Sequence, residues 1–92
     1  RPPKVLVLRM RKVGLLDGTG LALLRDLATK GRSGKGSTLV LSGVQPQPRE
    51  AMIDARLDDV IGPLNITTHI DAALDRARVI LSESRPSPRD ET

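Results

Sequence analysis

Two short apolar runs, KVLVLRM (4–10) and TLVLSG (38–43), frame a stretch whose apolar positions recur with a helical period. That alternation constrains the fold more than any other feature of the chain. KVLVLRM is rich in Val and Leu, is bounded by Pro2-Pro3 and Arg11-Lys12, and reads as a buried strand. Leu21, Leu24, Leu27 and Ala28 then share one helical face, with Asp17 or Thr19 to cap the helix and Gly31 to end it. TLVLSG is a second strand. PREAMIDARLDDVIG (48–62) reads as a helix with Pro48 in its first turn and Gly62-Pro63 as its stop. NITTHI (65–70) holds enough β-branched residues for a short third strand. A last helix follows on the stripe Ile70, Ala73, Leu74, Ala77 and Leu81, with Thr68 and Asp71 spaced as a capping box. Strand–helix order, three times over, predicts an α/β fold. The expected architecture is an open, mostly parallel β-sheet flanked by α-helices and joined by right-handed crossovers. One domain is expected over 1–83, with a disordered polar tail over 84–92.

The loop GRSGKGST (31–38) raises the question of a phosphate-binding loop. The pattern for such a loop is G-x-x-x-x-G-K-[ST] after a strand and before a helix. Gly31 and Gly36 have the right separation, but Lys35 precedes the second glycine instead of following it. The loop also follows a helix and precedes a strand. It therefore gains nothing from a helix dipole, and it lies at the amino edge of the sheet, where ligands of open α/β sheets rarely bind. It reads as a flexible connection.

Composition removes other classes. There is no Cys, so disulfides and thiolate metal sites are excluded, and His69 is the single imidazole. No metal site and no cofactor are expected. There is no Phe, Trp or Tyr, so base-stacking modules lose their main tool and no nucleic-acid partner is expected. No apolar run approaches the ~18 residues of a membrane span. Residues 1–36 carry nine Lys/Arg against two Asp, and residues 37–92 six Arg against nine Asp/Glu. A basic half of this kind can attract phosphate-rich partners or anionic headgroups, although a solvated surface also accounts for it. Asp54, Asp58 and Asp59 read as a solvated helix face and His69 as a capping or surface residue, so no acid–base constellation for an enzyme emerges.

The loop in the productive place is VGLLDGTGLALL (13–24), which leaves the first strand at its carboxyl end and opens a helix. Asp17, Gly18, Thr19 and Gly20 form the candidate site. The glycines allow close backbone approach, Thr19 presents a hydroxyl, and a helix N-terminus stabilises an anion such as a phosphate on Thr19. Asp17 would oppose a free anion. Ser42 and Gly43, leaving the second strand on the same edge, are candidates to line the same crevice. A capped helix with Gly in a tight turn accounts for the same residues.

The segments VLVLRMRKVGLLDGTGLALLRDLATKG, TLVLSGVQPQPREAM and NITTHIDAALDRARVIL together resemble a STAS domain over about residues 4–81. More narrowly, they are similar to the cytoplasmic C-terminal STAS domain of SulP-type anion (sulfate) transporters. The motifs that carry the likeness are D-x-[ST]-G opening a helix, the LSGV-x-P strand exit, and a final helix introduced by a short N-I strand. The resemblance implies a regulatory or assembly module without a reaction of its own, on the cytoplasmic side of the cell membrane. Its partner would be the transmembrane domain of the same transporter, with a homodimer through another STAS copy and weak nucleotide binding as further family properties. In the related anti-sigma-factor antagonists the position of Thr19 is phosphorylated. A free-standing antagonist switched at Thr19 is the alternative reading. The family domain normally begins with further strands and a helix ahead of the segment matching Lys4–Met10, so the chain resembles a domain lacking its N-terminal strands and first helix. Uncovered apolar surface is the expected consequence.

Overall fold

A computed structural model describes residues 3–84. Strand β1, Val5–Arg9, lies parallel to β2, Thr38–Ser42, with Val5 opposite Thr38 and Arg9 opposite Ser42. Helix α1, Gly18–Arg32, connects them. Helices α2, Pro46–Asp54, and α3, Leu57–Ile61, follow, then a 3-10 turn at Pro63–Asn65 and helix α4, Ile70–Ser84. The α/β class and parallel pairing match the sequence expectation.

β2 is the buried strand because both its faces are covered. Leu39 and Leu41 belong to a core with Met10, Leu24, Ala28, Val44, Met52, Leu57 and Ile61. That face therefore meets α1, α2 and α3. Val40 is also fully buried but stands outside that core, as strand alternation requires. α4 packs on both strands, and its buried residues are Ala73 and Ala77. Small side chains there let the helix lie close to the sheet. Each large core side chain contributes about 1.5–3 kcal/mol through burial. An apolar groove remains between β1 and α1, lined by Leu8, Met10, Leu23 and Leu27 among others.

Four local expectations need correction. The third strand over 65–70 is reduced to a single parallel bridge between Ile66 and Leu41. Pro63-Leu64-Asn65 curl into the 3-10 turn, leaving Thr67 to hold the segment beside β2 by donating its amide and hydroxyl to the Leu41 carbonyl, at 2.9 and 2.8 Å. The helix over 48–62 begins two residues earlier, at Pro46, and breaks at Ala55-Arg56, where Arg56 adopts φ 57°. Arg25 of α1 holds this break by donating to the Ala55 carbonyl at 2.6 Å, and Arg32 donates to the Asp59 carbonyl within α3 at 3.1 Å. α4 starts at Ile70, so His69, not Thr68, occupies its N-terminal flank. Ser84, assigned to the tail, closes α4, and the rest of the expected tail lies outside the described residues.

The fourth correction concerns GRSGKGST. Gly31 does not end α1, which runs to Arg32. Gly34, at φ 79°, takes the left-handed position instead. The amide of Lys35 donates to the Lys30 carbonyl at 3.0 Å and that of Gly34 to the Gly31 carbonyl at 3.3 Å. This pair of bonds is the Schellman pattern of helix termination. Ser33 and Gly36 amides also turn back to carbonyls of Thr29 and Lys30. The loop is thus an ordered cap whose amides serve the helix, and a phosphate would find them occupied. Gly31 has a packing role, since a Cβ there would meet the Ser37 carbonyl oxygen at 2.2 Å.

Candidate functional site

At the carboxyl edge of the sheet, Met10–Val13 form a tight turn closed by the Val13 amide donating to the Met10 carbonyl at 2.9 Å. Arg11 and Lys12 occupy its corners. The turn is fastened to the exit of β2. Met10 donates its amide to the Ser42 carbonyl at 2.7 Å, and Gln45 Nε2 donates to the Arg11 carbonyl. Gly43 permits this approach. It has φ 67°, and a Cβ there would lie 2.9 Å from Arg11 Cβ and 3.1 Å from Arg11 Cα. A residue without a side chain is needed on both counts.

The loop then runs through exposed Leu15 to α1. Leu16 donates its amide to Gln47 Oε1 at 2.8 Å, tying the loop to the first turn of α2. Asp17 is the N-cap: it has extended backbone, and its carboxylate accepts from the Gly20 amide at 2.9 Å. This decides between the two sequence candidates for the cap. Thr19, in the first turn of α1, is exposed, and its hydroxyl is bound to no other described residue. It is free to be modified or to contact a partner. A second charge beside Asp17 would still be opposed by that carboxylate.

The structure brings Asp17, Gly18, Thr19 and Gly20 together at the start of α1. Gly18 faces open space, whereas a Cβ on Gly20 would strike the Leu16 side chain at 2.6 Å. Ser42 and Gly43 share this edge but lie beneath the Arg11 turn. Ser42 is only 2% exposed, so the two residues form a floor under the turn and not the wall of an open crevice. Sequence reasoning missed Gln45 and Gln47, whose side chains fix the loop. Their only signal was their place in the Q-P-Q-P strand exit, and neither residue type announces a distant partner.

The STAS domain family model matches residues 1–77. The chain belongs to the STAS domain family. This STAS domain is also similar to a solved sulfate transporter family protein from Wolinella succinogenes, with a TM-score of 0.77 and 32% identity. The match covers 87% of this chain and spans 65% of that one. No curated protein matches the chain.

Other features of the STAS domain read as structural. Asn65, buried, donates to the Ile61 carbonyl at 2.9 Å and accepts from Arg76 Nε at 2.7 Å, which links α3 to α4. Among the described residues no group of His, Asp and Glu is placed to hold a metal ion. Among the same residues no helix is long and apolar enough to cross a membrane.

Proposed function

We propose that this STAS domain is a non-catalytic regulatory or assembly module of a SulP-type membrane anion transporter, held at the cytoplasmic face of the membrane. The observation that carries the reading is the likeness to the sulfate transporter family protein, at 32% identity over most of this chain. Its functional surface is the carboxyl-edge loop Asp17–Gly20. That loop combines an exposed, unengaged Thr19 hydroxyl with a frame fixed by the Asp17 cap and the Gln47 contact. The partner is the transmembrane domain of the same transporter. Pairing with a second STAS copy and weak nucleotide binding are secondary expectations. The free-standing antagonist would use the same exposed Thr19, and it is the likeness to the sulfate transporter family protein that favours the transporter reading.

Expression of the whole reading frame that contains this chain, followed by membrane fractionation, tests the reading. The product should pellet with membranes, resist high-salt and alkaline washes, and dissolve only in detergent. A product recovered entirely in the soluble fraction would contradict it.

A further inference from the structure

The carboxyl edge of this domain also carries an arrangement that the Thr19 loop does not explain. Arg9 ends β1, and Arg11 and Lys12 occupy the corners of the turn that follows. All three are exposed and line one open cleft of about 390 Å³. None is ion-paired among the described residues. Of the carboxylates around them, Asp17 is engaged as the α1 cap, and Asp26, which lines the groove beside β1 together with Arg9, is paired with Lys30 at 3.0 Å. The turn is held in place by the Met10–Ser42 and Gln45–Arg11 bonds and by Gly43. These cations are therefore displayed together on a fixed support.

Beside them, in the same loop, Leu15 is 78% exposed. The backbone is fixed two residues before it, where the Val13 amide closes the turn, and at the next residue, where the Leu16 amide is bonded to Gln47. The leucine is thus presented to solvent from an anchored loop, three positions after Lys12. We propose that this edge docks on an anionic membrane surface, with Arg9, Arg11 and Lys12 against lipid phosphates and Leu15 entering the headgroup boundary. Basic side chains flanking an exposed apolar one are the chemistry of peripheral lipid contact. A free phosphate would use the cations and leave Leu15 without a role, which is why the lipid is favoured. The nearness of a bilayer follows from the transporter-tail reading, on which the proposal rests. Tethering there would make even weak contacts effective.

The test is sedimentation of the 92-residue chain with vesicles of phosphatidylcholine alone or with about one third phosphatidylserine. Circular dichroism confirms that each variant keeps its fold. Wild type should bind the anionic vesicles and not the neutral ones. Each basic side chain at such a surface contributes about fivefold. The triple variant Arg9→Gln/Arg11→Gln/Lys12→Gln should therefore lose on the order of a hundredfold in partition. Lys4→Gln/Lys30→Gln/Lys35→Gln removes the same charge away from this edge and should lose less than about threefold. Leu15→Ser should lose severalfold, and millimolar inorganic phosphate should not displace the chain. Equal loss in the two triple variants would overturn the proposal in favour of bulk charge. An inert Leu15→Ser with full displacement by phosphate would overturn it in favour of a free-anion site. Failure to bind anionic vesicles would sink the docking proposal alone, because the transporter reading is judged separately by membrane fractionation of the whole product.

Discussion

Gly43→Ala should be among the most damaging single-methyl changes in this domain, and Gly34→Ala separates the two reasons. Both glycines have left-handed backbone, φ 67° and φ 79°. A non-glycine residue in that region costs about 1–2 kcal/mol. Both substitutions also restrict the unfolded chain by the same amount, about 0.4–1 kcal/mol in favour of folding, which cancels between them. The surroundings differ. A Cβ at position 34 meets nothing within 4 Å, whereas at position 43 it would lie 2.9 Å from Arg11 Cβ and 3.1 Å from Arg11 N and Cα. The Arg11 backbone is anchored on both sides, by the Met10 amide bonded to the Ser42 carbonyl and by its own carbonyl bonded to Gln45 Nε2, so it cannot retreat without straining those bonds. Overpacking of this kind costs about 1–3 kcal/mol. Urea unfolding should therefore place Gly43→Ala about 1–3 kcal/mol below Gly34→Ala, and at this chain length each kcal/mol moves the Tm by roughly 4–8 °C. Losses equal within about 0.5 kcal/mol would refute the close seating of the Arg11 turn on the β2 exit.

Other outcomes follow from the same geometry. Asp17→Ala should cost about 1 kcal/mol through the lost cap, and Thr19→Ala should stay within about 0.5 kcal/mol, both read by thermal melting. The reverse order would mean that Thr19 is the cap. Lys35→Ala should leave any nucleotide affinity unchanged in a titration, because the amides around it already terminate α1; a tenfold loss, about 1.4 kcal/mol, would contradict this. At high concentration the isolated chain should self-associate through the groove beside β1, where Leu23 is 62% and Leu27 38% exposed. Monomeric sedimentation at every concentration would show that the groove is inert.

Much of the fold was legible because its strongest elements obey simple periods. KVLVLRM and TLVLSG read as strands from short apolar runs rich in Val and Leu, and Leu24 and Ala28 announced the buried face of α1. The failures have local causes. Arg56 breaks the helix in a left-handed conformation that glycine usually takes, so the sequence carried no glycine there to mark it. NITTHI has strand composition, but its first residue belongs to the 3-10 turn and only Ile66 pairs with β2. The end of α1 was misplaced because Gly31, Gly34 and Gly36 are equally good terminators on paper. Only the carbonyls they face select Gly34. At the candidate site, Asp17 and Thr19 were both admissible caps, and geometry assigned the role to Asp17. The anchors Gln45 and Gln47 act across more than thirty positions of sequence, a distance that no local pattern encodes.

The proposed regulatory role of the Asp17–Gly20 loop is tested most directly by anion uptake, sulfate first, in cells expressing the complete protein with wild-type, Thr19→Ala or Thr19→Glu sequence. A glutamate at Thr19 sits in the first turn of α1, where the helix dipole favours it by about 0.3–1 kcal/mol while Asp17 opposes it. Stability should thus stay within about 1 kcal/mol and the domain should remain folded. The altered charge at the exposed edge should lower uptake at least about twofold with Thr19→Glu, with Thr19→Ala near wild type, the ratio expected for roughly 0.4 kcal/mol or more of changed coupling. Uptake indistinguishable among the three, at equal protein abundance, would contradict a regulatory role for this loop.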